Sequence, residues 1–252
     1  MPRPVIRSDL EPTLRKLVKA LLMLRHIWRF PRVRGAWPKY EYLKPWLADL
    51  RPAAVIDVGV NVGQFLHLAY RLYPEARLIG IEPLDELCRK VAGIYRAESR
   101  VVLHCCACGA EAGEGELHVT ADSQNASMLA PTEEFYDERP GETVVGARRV
   151  PVRRLDALLD GVAGPILLKV DVQGGELDVL ESLGDRLADV AAIIVEAPFE
   201  HAYEGASDFD AIYRFLTANG FAYRGAMGQL TSRHTGHVLQ EDSIYINPRW
   251  VP

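Results

Sequence analysis

The stretch Val55-Ile56-Asp57-Val58-Gly59-Val60-Asn61-Val62-Gly63 constrains this chain more than any other. An apolar run over 54–58 enters it, and a helical pattern over 62–72 leaves it. A short run that is apolar on both faces reads as a fully buried parallel strand. The glycines at its exit allow positive φ and a close approach of backbone to a ligand. About twenty residues beyond Gly63, a second apolar run over 77–81 ends in Glu82, the position of an acid that meets a nucleoside ribose in parallel α/β sheets.

The same short apolar form recurs over 101–106, 166–170 and 192–195, with helical patterns over 84–95 and 209–218 between such runs. Strands over 221–223 and 243–246 would form an antiparallel edge. Alternating strands and helices predict an α/β fold with one doubly wound sheet. The segment 111–150 breaks the rhythm: a strand is expected over 116–120, and the polar stretch 123–141 reads as an insertion of the kind that covers an active site. The predicted organisation is a basic helical extension over 1–50 and a catalytic domain over 51–252, with the insertion on its acceptor side.

Charge sharpens that division. Residues 1–39 carry ten Lys or Arg against Asp9 and Glu11, which leaves the remainder strongly acidic within a net charge of -5. An acidic body is not a nucleic-acid surface. The arm, a helix over 10–29 capped by Asp9, could meet anionic lipid peripherally, bind an acidic partner, or pack on the acidic body. A further short helix is expected over 40–50. Trp28, Trp37 and Tyr40 leave a homodimer open. No apolar run approaches the length of a membrane span, and 20–24 lacks a cleavage signature, so a cytoplasmic protein is expected. All four cysteines lie between Cys88 and Cys108 without a zinc-binding spacing. They read as small apolar residues at a buried strand end, and disulfides are not expected.

Asp57-x-Gly59-x-Asn61-x-Gly63 departs from the G-x-G-x-x-G spacing that sets a pyrophosphate on a helix N-terminus. S-adenosylmethionine (SAM) carries an ammonium and a sulfonium and no phosphate, so an acid before the first glycine favours it electrostatically. The expected cofactor residues are Asp57 toward the amino-acid end and Gly59, Asn61 and Gly63 in the turn. Glu82 would take the ribose hydroxyls, and Cys108 and Gly109 would border the adenine. Ser127 and Met128 could contribute from the insertion.

A second constellation runs from Ile166 through Lys169, Asp171, Gln173 and Gly174 to Glu176. Asp171 falls at the strand end, at the same sheet edge as Asp57 and Glu82, and is expected near the acceptor or the sulfonium. Lys169 in an apolar strand needs a polar partner, Asp171 or Glu176, or else touches the acceptor. Glu196 ends the next strand and could bind an acceptor hydroxyl. His201 follows on a loop as a candidate general base, with His234 and His237 as further candidates and His67 as a structural residue. Asp171 and Glu196 alone do not make a metal site, and none is expected.

Taken in order, these pieces closely resemble the FkbM family of SAM-dependent methyltransferases. The matching segments are Val55 through Gln64, Ile81-Glu82-Pro83, Leu168 through Glu176, Val195-Glu196, Tyr203-Glu204-Gly205, Phe215 through Phe221 and Gln240 through Tyr245. The resemblance covers 52–247. It implies a class I, Rossmann-like methyltransferase sheet, mostly parallel and seven-stranded with a reversed final strand, and methyl transfer to oxygen. It places Asp57, Gly59 and Glu82 at SAM and Asp171 near the reaction centre. Val60 stands where the family has a small residue. The implied acceptor is a hydroxyl of a small molecule, sugar or other natural product. Rival readings are an NAD(P)-dependent oxidoreductase, a non-catalytic binding or scaffold protein, and a methyltransferase acting on a carboxylate or nitrogen.

Overall fold

The computed structural model describes residue 47 and residues 49–250. The expected N-terminal helix, the basic arm, its aromatic residues and most of the 40–50 helix lie outside the described residues. In chain order the strands are β1 (Ala54–Val58), β2 (Arg77–Ile81), β3 (Val101–His104), β4 (Ala107–Cys108), β5 (Gly113–Thr120), β6 (Val144–Arg153), β7 (Ile166–Val170), β8 (Val190–Pro198), β9 (Ala222–Thr231) and β10 (Val238–Ile246). The helices are α1 (Gln64–Leu72), α2 (Asp85–Ile94), α3 (Glu133–Glu138), α4 (Leu155–Leu158), α5 (Glu176–Glu181) and α6 (Phe209–Ala218).

A seven-stranded sheet runs in the order β3-β2-β1-β7-β8-β10-β9. Its strands pair in parallel except where β10 lies antiparallel between β8 and β9. This is the mostly parallel sheet with a reversed final strand that the resemblance implies. Its order reverses next to β1, where sheets of this type open a crevice at their carboxyl edge.

All five residues of β1 and of β7 are buried because helices cover both faces. Alternation sorts them. Ile56, Val58, Leu168 and Val170 enter one core with Leu155, Leu180 and Leu216. Val55 and Leu167 enter the other with Leu66 and Leu78. Each such side chain contributes roughly 1.5–3 kcal/mol on burial. By the same alternation, Asp57 and its register partner Lys169 share the face of Val55 and Leu167, beneath α1.

Three departures from the sequence reading have physical causes. The expected strand over 101–106 stops at His104, and Ala107–Cys108 pairs instead with β6 in a second sheet of order β4-β6-β5. Strand β6 was not anticipated. Most of its residues are exposed, and only Val150 and Val152 reach the small core with Leu84 and Leu117. Third, Cys88 and Cys105 form a disulfide, against the expectation of none. Cys88 lies on the buried face of α2, and Cys105 leaves β3 beside it with Cα atoms 5.5 Å apart, within bridging reach. Cys106 and Cys108 are free and buried. Among the described residues, no helix is long and apolar enough to cross a membrane.

Candidate active site

The carboxyl ends of β1, β2, β7 and β8 converge with 106–109 and with 122–129 of the insertion around a cavity of about 530 Å³, a size suited to a small-molecule cofactor and substrate. The insertion therefore lines the site, as its polar composition suggested.

The glycine-rich turn is shaped by close backbone contact. Gly59 has φ +85°, and a Cβ there would lie 1.8 Å from the Asp171 carbonyl oxygen. The Asp171 amide donates to the Val58 carbonyl at 3.0 Å, and the Gly59 amide donates to the Ile81 carbonyl at 3.0 Å, so the exits of three strands are pinned together. Asn61 adopts the left-handed conformation, with φ 49°. Its side-chain oxygen accepts from the Val62 amide at 2.8 Å, a local bond that makes this conformation tolerable for asparagine. Its own amide donates to Glu82 Oε2 at 2.7 Å. Gly63, φ +88°, precedes α1 as its N-cap and is not among the residues that line the cavity.

Glu82 and Asp57 are nearly sealed, each at most 4% exposed, and both border the cavity. Glu82 accepts a second bond from the Leu84 amide at 2.9 Å. Burial pushes its carboxyl up, against these amide donors. Asp57 is different: neither carboxylate oxygen has a hydrogen bond of ordinary length and angle. Burial pushes its pKa up to about 7, opposed by the Lys169 ammonium and reinforced by the charge of Asp171, while the Leu66 amide pulls on it weakly. A buried carboxylate without partners is costly and suits a site that receives a cation. Cys108 and Gly109 line the same cavity. The poorly partnered Asp57 carboxylate fits a ligand with a cationic end.

The second constellation forms a chain of contacts. Lys169 Nζ lies 2.9 Å from Asp171 Oδ2. The Gln173 side-chain amide donates to Asp171 Oδ1 and to Glu196 Oε1, each at 2.9 Å. The Gln240 amide donates to Glu196 Oε2, and Tyr203 donates to Gln173 Oε1 at 2.9 Å. Burial opposes ionisation of Asp171, yet the Lys169 ammonium and the Gln173 amide outweigh it and hold its carboxyl below the usual range. Glu196 is pushed well above that range by burial and by the charges of Asp171 and Glu176. One charge is therefore favoured on this pair, and Asp171 carries it. Among the described residues, no group of three or more ligating side chains could hold a metal ion.

Other expected residues fall elsewhere. His201 is not brought to the cavity: it is exposed beyond β8, and its backbone carbonyl accepts from the Thr132 hydroxyl. The turn that carries it folds onto α3 through Tyr203, which packs on Phe135, and leaves the imidazole outside. His234 and His237 are also exposed, and His67 is buried against the Tyr95 hydroxyl. Glu176 does not pair with Lys169. Its carboxylate accepts from the Val172 and Gly174 amides and fixes the turn before α5. Ser127 donates to the Gln173 carbonyl, and Met128 lines the cavity.

Sequence reasoning overlooked Gln240, Arg139 and the bridging part played by Gln173. Gln173 stands with φ 62° beside Gly174, whose added Cβ would meet Leu129, Ala206 and Tyr203. A polar residue adjoining a glycine at a strand end was the available signal. Gln240 opened a segment of the family resemblance without a role attached to it, and Arg139, in polar surroundings, gave no signal.

Residues 57–223 match a family described as the methyltransferase FkbM domain. A methyltransferase from Sordaria araneosa, sdnD, is 30% identical in an alignment of length 172 that covers 58% of this chain and 66% of that protein. The antimetabolite synthetase AmbE of Pseudomonas aeruginosa is 30% identical over 206 residues, 67% of this chain and 9% of that protein. The chain thus spans less than two thirds of the length of each of these relatives. Among solved structures, the fibrillarin of Aeropyrum pernix with bound SAM is similar at a TM-score of 0.45 and 10% identity, over 83% of this chain and 76% of that one.

Proposed function

The chain belongs to the FkbM methyltransferase family and uses SAM as its cofactor, and from that premise we propose that it methylates a hydroxyl oxygen of a small-molecule or glycan acceptor. The observation that carries this reading is the Asp171 carboxylate, 2.9 Å from Lys169 Nζ, on the wall of the cavity that Asp57 also lines.

When bound, SAM supplies a methyl group on a positively charged sulfur. Asp57 would hold the ammonium of its amino-acid end, as its orphaned oxygens suit. Glu82 would accept the ribose hydroxyls with the lone pairs its two backbone donors leave free. Cys108 and Gly109 would wall the adenine. Asn61 positions Glu82 through its amide, and Gly59 keeps the strand exits in contact.

On the acceptor side, Asp171 would accept the hydroxyl proton as the new carbon–oxygen bond forms. An aliphatic hydroxyl does not ionise beforehand at neutral pH, so proton removal accompanies bond formation. Lys169 keeps Asp171 ionised for that step. Glu196, favoured in its neutral form, would donate or accept a hydrogen bond to the acceptor. Enclosure by the insertion excludes water and fixes the line of attack.

We assign the catalytic unit to 51–252 and the basic extension to 1–50. The test is release of S-adenosylhomocysteine (SAH) from SAM with a panel of phenols, sugars and hydroxy acids. Turnover that Asp171→Asn abolishes supports the reading. Turnover that survives Asp171→Asn overturns the assignment of the base.

A further inference from the structure

The cation best placed to choose the acceptor is Arg139, at the end of α3. It lines the cavity and is half-buried. Its guanidinium lies 4.7 Å from the centre of the Phe135 ring, a side chain that is fully buried. Stacking of this kind fixes the plane of a guanidinium while leaving its edge donors usable. Among the described residues its one side-chain hydrogen bond is long, from Nη2 to Gln240 Oε1 at 3.4 Å. Among the described residues, no carboxylate forms an ion pair with it.

Its location separates it from the cofactor residues. Gln240 lies on β10 and bonds both Arg139 and Glu196. A chain of side chains therefore runs from Arg139 through Gln240, Glu196 and Gln173 to Asp171. Asp57 and Glu82, at the other end of the cavity wall, belong to β1 and to the exit of β2. Apolar surface accompanies the cation. Leu230, the register partner of Gln240, lines the cavity while 41% exposed, and Leu129 lines it from the cluster of Phe135 and Tyr203.

We infer that the acceptor is an amphiphilic anion, a hydroxylated molecule whose carboxylate or phosphate is held by Arg139 and whose apolar skeleton lies on Leu129 and Leu230. The guanidinium offers a planar pair of donors that matches either oxyanion. Holding the anion at Arg139 leaves the hydroxyl to reach Asp171 at the other end of the side-chain chain. Arg139 is thus a specificity residue, resting on the methyl-transfer reading and adding the acceptor's charge to it.

The test uses the full chain saturated with SAH. Benzoate, phenyl phosphate and benzyl alcohol are titrated separately and followed by ligand-observed NMR, with wild type, Arg139→Gln and Arg139→Lys. At least one anion should bind about tenfold or more tightly than the neutral alcohol, the worth of a charge-assisted hydrogen bond. Preference for benzoate identifies a carboxylate acceptor, and preference for phenyl phosphate a phosphorylated one. Arg139→Gln should erase the difference and Arg139→Lys should restore part of it, with SAH affinity unchanged in both. Equal binding of anions and alcohol, or no binding of either anion, overturns the inference. So does a tenfold loss of SAH affinity in Arg139→Gln, which would give Arg139 to the cofactor's own carboxylate. Failure of wild type to bind SAH would instead strike the methyl-transfer reading itself.

Discussion

Replacing Gly59 by alanine, with Gly63→Ala beside it, separates two costs that share one backbone conformation. Both glycines hold nearly the same positive φ, +85° and +88°. An alanine Cβ at 63 would sit 3.5 Å from the Val91 methyls, an ordinary contact, so that variant bears only left-handed strain of roughly 1–2 kcal/mol. At 59 the Cβ would stand 1.8 Å from the Asp171 carbonyl oxygen, and the strand exits must part by about 1.2 Å to admit it. That movement stretches the Asp171-to-Val58 and Gly59-to-Ile81 hydrogen bonds, both 3.0 Å in the native turn. Leaving such buried groups poorly paired adds roughly 1–3 kcal/mol, for a total of roughly 2–5 kcal/mol. Urea unfolding followed by circular dichroism measures both variants. Gly59→Ala should be the less stable by about 1–3 kcal/mol. It should also lose SAM affinity, because its neighbours Val58, Val60 and Asp171 line the cavity. Gly63→Ala should keep that affinity. Equal destabilisation of the two would refute the argument that contact between strand exits dictates the first glycine.

Three further outcomes follow from the site and the disulfide. The folded pKa of Asp57, about 7, exceeds its usual 3.8, so its contribution to apo stability is full below about pH 4 and is lost as pH rises through 7. The stability of wild type relative to Asp57→Asn should therefore fall by up to about 1.4 kcal/mol per pH unit over that window, read from urea midpoints, while wild-type SAM affinity rises over pH 6–8 as the carboxylate ionises. Lys169→Met should shift the acid limb of the turnover profile upward, because the ammonium that holds Asp171 down is gone; an unchanged pH profile would remove Lys169 from that task. Unfolded without reductant, the chain should show two reactive thiols and after reduction four, with reduction costing roughly 3 kcal/mol of stability for a loop of 17 residues.

The parts of this molecule legible from sequence are those where burial on both faces leaves little choice. β1, β2, β7 and α6 appear at the expected residues, since short apolar runs or a 3.6-residue pattern admit one solution. The acids at their ends converge because parallel strands bring their carboxyl termini to one edge. What failed depends on contacts between segments far apart in the chain. His201 was placed near the edge by its sequence distance from Glu196, but the packing of Tyr203 on Phe135 turns that loop outward. Strand β6 is exposed along most of its length and has no apolar alternation to announce it. The Cys88–Cys105 bond joins a helix face to a strand exit, a juxtaposition no spacing rule encodes. Arg139 and Gln240 lie on an insertion helix and on the reversed strand, and only the fold brings them to Glu196.

Calorimetric titration of SAM into the wild-type chain, with NAD as control and Asp57→Asn and Glu82→Ala as folded comparisons, tests the central claim most directly. The account predicts one SAM bound per chain, no NAD binding, and affinity reduced about tenfold or more in each variant, the worth of a buried charge-assisted contact. A folded wild-type chain that ignores SAM, or binds it equally well without Asp57 and Glu82, would contradict it.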